Sequence, residues 1–224
     1  QLTKEQALER ADVVMDCSPS GNDNKTKIYE KYNDGKRGFT AQGSESGFGK
    51  RFAIGVNDSA LDTKADRFVQ VVSCNTHSIT TMMQALAYGN GADYANLESG
   101  SFVCIRRSID VTQDSKYIPS PKVGKHDDDL YGTHHAHDAA GLFETLKVQP
   151  KIYSSAMQLN TQFMHTLHFN LKLKKATTKE AVLAHIAANP HIAVTTKESA
   201  NRAAAFGRRQ SPCGYSCSNP PDTR

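Results

Sequence analysis

The chain has no apolar run long enough to span a bilayer, which takes about 20 residues, so a membrane-spanning role is not expected. It also has no block of one-sign charge. Lys and Arg number 27 against 23 Asp and Glu, a formal net charge of +4 spread along 224 residues. That scatter argues against a dedicated nucleic-acid surface, although local basic pockets would suit an anionic substrate. The opening residues, Gln1-Leu2-Thr3-Lys4-Glu5, do not read as a secretory signal. Cysteine is sparse and odd in number: Cys17, Cys74, Cys104, Cys213 and Cys217. A disulfide framework is therefore not expected, and a reducing cytoplasm is the expected compartment. What is present, 38% hydrophobic and 22% charged residues, suits a folded globular chain with a real core.

A pass along the chain finds alternating strand and helix signals. A helix ends near residue 10, and the apolar run from Ala11 to Met15 stops at Asp16-Cys17-Ser18-Pro19-Ser20-Gly21, a strand delivered into a turn. A helix is predicted over 23–32, strands over 38–41, 52–56 and 67–73, and a helix over 76–88 with Met82, Met83 and Leu86 on one face. This rhythm implies a parallel α/β sheet. Beyond it, 101–109 reads as a strand and 116–141 as an irregular connection rich in Pro, Gly and His. The stretch 157–173 alternates almost strictly, with Met157, Leu159, Phe163, Leu167, Phe169, Leu171 and Leu173 on one face. One packed face of an antiparallel sheet produces that pattern. A helix over 178–188 and a strand over 191–195 follow. The tail, rich in Ser, Pro, Cys and Gly, predicts no regular structure, and Cys213 and Cys217 lack a second ligand pair at zinc-site spacing.

Cys74 falls where the strand 67–73 ends and the next helix begins. A thiol at a helix N-terminus faces unpaired N–H groups and the positive end of the macrodipole, and both favour thiolate. A buried structural thiol is the commoner fate of an intracellular cysteine, but strand ends in α/β sheets are where ligands bind. Cys104, mid-strand in an apolar run, reads as structural, and Cys17 is the closer competitor. A thiol nucleophile needs a base. His165 shares a face with Phe163 and Leu167, whereas His168 lies on the polar face. Alone, His165 reads as a core histidine; beside a helix-terminal thiol it becomes a candidate base.

These residues carry a resemblance. The segment Val71-Val72-Ser73-Cys74-Asn75-Thr76 resembles the active-site strand of archaeal-type (class II) phosphorylating glyceraldehyde-3-phosphate dehydrogenases. Further blocks arrive in the family's order: Ala11 to Pro19, Gln42-Gly43-Ser44-Glu45, Ile105-Arg106-Arg107-Ser108-Ile109-Asp110, Thr133-His134-His135, and Phe163-Met164-His165-Thr166-Leu167-His168. The resemblance runs from about 11 to 209. It implies that Cys74 attacks the aldehyde of glyceraldehyde 3-phosphate and His165 takes the proton. Hydride would pass to NAD or NADP, and inorganic phosphate would release 1,3-bisphosphoglycerate. Ser73, Asn75, His134 and His135 would meet the substrate, and Ser44 with Arg107 the cofactor. The implied fold is the last part of a Rossmann-type dinucleotide-binding domain over 1–73, then an α+β catalytic domain with a mostly antiparallel sheet over 74–209, and an irregular tail over 210–224. The implied assembly is a homotetramer.

The departures are equally legible. The family's first strand and Gly-rich pyrophosphate turn are not found in 1–10, and its final helix and strands are not found either. Ala136-His137-Asp138 stands where the family has Gly-Pro-Asp, and Thr76-His77-Ser78 where it usually has Thr-Thr-Gly. A metal centre on His134, His135, His137 and Asp138 is not expected, because hydrolase ligands converge from separate elements. A related semialdehyde or acyl-phosphate reductase, or a non-catalytic relative, stand as alternatives.

Overall fold

Short apolar runs punctuated by polar turns fold here into two four-stranded sheets joined by a single helix. The structure, a computed structural model, describes residues 2–43, 45–109, 118–160, 164–210 and 216–218. Helix α1 (Lys4–Arg10) opens with a capping box, in which the Thr3 hydroxyl accepts the Gln6 N–H and the Gln6 side chain accepts the Thr3 N–H. Strand β1 (Val13–Asp16), helix α2 (Gly21–Lys27) and strands β2 (Gly38–Gln42), β3 (Lys50–Phe52) and β4 (Phe68–Val71) follow. The strands form a wholly parallel sheet in the order β1-β2-β4-β3. Aromatic rings fill one side of it: Tyr29 and Phe68 stack on the buried Phe39 at 5.4 and 4.8 Å.

From β4 the chain passes through Ser73 into α3 (Cys74–Met82), which ends in a π-helical turn at Met83–Ala87. The second sheet holds β5 (Leu97–Arg106), β6 (Lys122–Val123), β7 (Ile152–Gln158) and β8 (Thr166–Leu173) in the order β6-β7-β5-β8. Its β5–β7 pairing is parallel and the other two are antiparallel. Helix α4 (His134–Glu144) packs on it through the buried Ala136, Ala139, Ala140, Leu142 and Phe143. Helix α5 (Lys179–Ala187), strand β9 (Ile192–Val194) and helix α6 (Ala200–Gln210) follow. The fold is α/β, a parallel sheet followed by a mixed one. No described helix is long and apolar enough to cross a membrane.

Four local expectations change. The apolar run 52–56 is a strand only as far as Phe52. Beyond it the chain turns, held by the buried Asn57, whose side chain accepts the Ala53 N–H and donates to the Arg51 carbonyl and to Thr145. The connection 116–141 contains the start of α4, whose small buried residues allow close packing but make no strong apolar stripe. The alternating stretch 157–173 is not one strand. It is the end of β7 and the whole of β8, which lie on opposite sides of β5. The inward face also changes parity. Ile152, Ser154 and Ala156 point inward from β7 and leave Met157 exposed, whereas Leu167, Phe169, Leu171 and Leu173 pack inward from β8. In the tail, β10 (Ser216–Ser218) pairs in parallel with β9.

One contact ties the halves together at α4, and a second fixes the approach to α4 within the second half. Arg51 on β3 reaches the buried Asp138 at 3.3 Å, lying across Gly141, where a Cβ would come within 2.2 Å of the guanidinium. Gly132, just before α4, sits at φ +76° with its Cα facing the Ser154 carbonyl, 2.3 Å from where a Cβ would stand. Both the backbone conformation and the space there require glycine. Gly132→Ala is therefore expected to cost about 2 kcal/mol or more, read as a lowered denaturant midpoint at unchanged m-value.

Asp16 organises the turn after β1. It accepts from the Ser18 N–H, Asn24 Nδ2 and the Tyr29 hydroxyl at 2.7, 2.8 and 2.8 Å. Burial alone would raise its pKa, but these donors outweigh burial and hold it down at about 2. Because the folded value lies below the unfolded one, the ionised carboxylate stabilises the fold above about pH 4, and that contribution is lost as pH falls toward 2. Asp16→Asn should lower stability at neutral pH and flatten acid unfolding between about pH 4 and 2, measured by urea titration at each pH.

Candidate active site

Strand β4 delivers its chain end to the carboxyl edge of the parallel sheet, and there α3 begins. Ser73 is its N-cap: the hydroxyl accepts the Thr76 N–H at 3.4 Å and lies 2.9 Å from Thr76 Oγ1. Cys74 is the first helical residue and is exposed. Its N–H, with that of Asn75, belongs to the first turn, which has no acceptor within the helix. Asn75 is turned inward, 4% exposed.

The start of α4 meets this point from the second sheet. His134, its first residue, is exposed, whereas His135 is 3% exposed, and their rings lie 3.9 Å apart. Asn75 Nδ2 lies 3.1 Å from His135 Nε2, and Thr133 Oγ1 lies 3.1 Å from His135 Nδ1. Burial pushes the His135 pKa down to about 3, with the neighbouring charges of His134, Arg106 and His165 acting in the same direction. His165, partly buried ahead of β8, shares that neighbourhood. Its Nδ1 lies 3.3 Å from the Arg107 N–H and its Nε2 lies 2.8 Å from Arg107 Nη1.

Thus Ser73, Cys74 and Asn75 at the start of α3 meet His135 at the start of α4, and His134 and His165, the latter ahead of β8, neighbour the His135 ring. Arg107 stands against the imidazole of His165. Ser44 lies outside the described residues, as do Cys213 and Phe163. Cys17 stands apart at the end of β1, its Sγ 3.4 Å from Gln42 Nε2. Among the described residues no group of three or more His, Cys, Asp or Glu side chains could hold a metal ion. Three participants were not singled out from the sequence. Arg106 borders a cleft of about 230 Å³ with Ile105, Leu159, Met164, Thr166 and residues 199–201. Thr133 and Ser154 share a 2.6 Å hydroxyl contact behind His135. Thr133 was legible only as the residue before the His pair, and Ser154, a serine in mid-strand, gave no signal.

No family model matches the chain. It is similar to several archaeal proteins named glyceraldehyde-3-phosphate dehydrogenase. With that of Archaeoglobus fulgidus it shares 29% identity over 213 residues, 88% of this chain and 55% of the relative. With those of Pyrobaculum islandicum and Aeropyrum pernix it shares 25% and 28% over 197 residues, in both cases 85% of this chain and 52% of the relative. The chain thus spans about half the length of the curated relatives it matches. Its fold is similar to that of aspartate semialdehyde dehydrogenase II from Vibrio cholerae, with a TM-score of 0.66 at 9% identity, over 89% of this chain and 67% of that one.

The described cysteines differ sharply in access. Cys104 is fully buried, and burial pushes its pKa up to about 12, with Cys74 nearby acting the same way and Arg106 opposing. Under native conditions iodoacetamide should alkylate Cys74 and Cys17 while Cys104 reacts at least about 100-fold more slowly. Peptide mapping before and after denaturant checks this. Equal labelling of all three thiols would contradict the placement of Cys104 in the core.

Proposed function

We propose that this chain carries the Cys–His end of a phosphorylating glyceraldehyde-3-phosphate dehydrogenase, with residues 1–73 as the last part of its dinucleotide-binding domain and 74–209 as its catalytic domain. The observation that carries the reading is the exposed Cys74 as first residue of α3, its neighbour Asn75 lying 3.1 Å from His135, whose ring His134 and His165 flank. The order of matching blocks and the likeness to the archaeal dehydrogenases support it. In this reading the Cys74 sulfur adds to the aldehyde carbon, His165 accepts the proton, and oxidation leaves a thioester on Cys74. Phosphate then attacks the thioester carbonyl: the C–O bond forms, the C–S bond breaks, and 1,3-bisphosphoglycerate leaves. His134, exposed at the start of α4, would meet the substrate, and the arginines 106 and 107 suit a phosphorylated aldehyde and inorganic phosphate. The whole enzyme would be a cytoplasmic homotetramer without nucleic-acid or membrane partners.

NAD or NADP would supply the hydride acceptor. The turn after β1 does not fit its pyrophosphate. The Asn22 N–H at the start of α2 already donates to the Glu45 carboxylate at 2.9 Å, which puts a negative charge where the phosphates would need free donors. The acyl half of the reaction needs no cofactor, and it tests the reading directly. On incubation with 1,3-bisphosphoglycerate alone, Cys74 should gain a phosphoglyceryl group, seen by intact mass and peptide mapping, with release of phosphate. His165→Asn should slow this by roughly 100-fold or more. Acylation by β-aspartyl phosphate but not by 1,3-bisphosphoglycerate would move the assignment to a semialdehyde dehydrogenase. If neither reagent acylates a Cys74 that still alkylates, the chain is a non-catalytic relative.

A further inference from the structure

We infer that His135 does not touch the substrate but is a positioning residue: a neutral imidazole of fixed tautomer that holds Asn75, and with it the nucleophile's helix, in place. The argument is one of donors and acceptors. An amide nitrogen can only donate, so the 3.1 Å contact from Asn75 Nδ2 makes His135 Nε2 an acceptor. The ring proton therefore sits on Nδ1, which donates to Thr133 Oγ1 at 3.1 Å. Thr133 Oγ1 and Ser154 Oγ, 2.6 Å apart across to β7, share a hydroxyl hydrogen bond, and the Ser154 oxygen also accepts the Ala136 N–H at 3.1 Å. The His135 carbonyl accepts from Thr76 Oγ1 at 3.5 Å, so residues 75 and 76 of α3 are both tied to one residue of α4.

Every link in this chain is buried, and the direction of the two links at the imidazole is dictated from the Asn75 end. A second proton on His135 would set N–H against N–H at Asn75. It would also add a charge beside His134 on the same helix, Arg106 on β5 and His165 ahead of β8, all of which face the ring. With both ring nitrogens engaged and 3% of its surface exposed, His135 has nothing left to offer a ligand. The neighbouring His134 is exposed and can reach one. The pair is thus split: His134 meets the substrate and His135 supports the amide next to Cys74. The functional half of this inference rests on the reading of Cys74 as nucleophile; the tautomer does not.

Long-range proton–nitrogen NMR on protein labelled with ¹⁵N-histidine tests the assignment in the unmodified chain. His135 should show the Nδ1–H tautomer, unchanged from about pH 5 to 8. Thr133→Val, which removes the Nδ1 acceptor, should perturb that signal, and Thr133→Ser should restore it. In the acyl-transfer assay, His135→Gln and Thr133→Val should lower the saturating rate of Cys74 acylation by roughly tenfold to a hundredfold, with the half-saturating concentration of 1,3-bisphosphoglycerate changed less than about twofold. An Nε2–H tautomer, a titration of His135 within that pH range, or a loss expressed in the half-saturating concentration would overturn the inference. If the unmodified chain is not acylated at all, the proposed function fails while the NMR result still decides whether His135 is locked.

Discussion

The constraint on which this structure turns is that two helices, α3 from the first sheet and α4 from the second, begin at the same place. Helix N-termini carry partial positive charge and unpaired N–H groups, so bringing two together beside Arg106 and Arg107 is costly unless something neutral or negative stands between them. The fold meets this in two ways. It keeps the innermost group, His135, uncharged, and gives it the Asn75 and Thr133 contacts that a neutral ring can satisfy. It leaves the outermost group, Cys74, exposed at the junction. A site built this way favours an anion at its mouth while tolerating none of its own cations inside.

The two thiols nearest this junction show how position alone separates roles. Cys104 and Cys74 act on one another electrostatically, so they share a neighbourhood. Yet Cys104 is sealed in the core with Ile79, Met83 and Phe102, and Cys74 stands at the surface. Strand β5 carries its side chains alternately inward and outward, which fixes Cys104 on the buried face. The end of β4 has no such alternation to obey, because the chain leaves the sheet there and starts a helix. Reactive chemistry at a strand end is thus a matter of topology before it is a matter of residue type.

How much of this was legible in the sequence follows from the same distinction. Periodic features were readable: the strand–helix rhythm of the first sheet, a helix following Cys74, and the inward face of β8. Features resting on hydrogen bonds between distant residues were not. Ser154 supports His135 from 21 positions beyond Thr133, and nothing in its own neighbours marks it. The break between β7 and β8 was hidden because serine and alanine fill the inner face of β7, so an exposed Met157 matched the apolar parity of the next strand. The start of α4 was hidden because its buried face is built of alanine and glycine and its first turn of histidine. Small residues pack as well as large ones where backbones approach closely, but they leave a weak hydropathic trace.

The contact between Arg107 and His165 carries the last step. Both ring nitrogens of His165 face donors of one residue, the Arg107 N–H at Nδ1 and Nη1 at Nε2. A neutral imidazole has a single free lone pair, so only one of these approaches is a true hydrogen bond at a time. If the shorter one holds, Nε2 is the acceptor and the ring proton is on Nδ1, pressed against a backbone N–H. If the longer one holds, Nε2 carries the proton and meets the guanidinium head-on. Either way one contact is repulsive, and accepting a further proton makes both so. If His165 serves as the base of the proposed acyl transfer, the Arg107 guanidinium has to turn away first. An arginine that releases an imidazole needs another acceptor to turn to, and a bound phosphate is the strongest one the chemistry offers. On that reading, base and anion site would be two positions of one side chain.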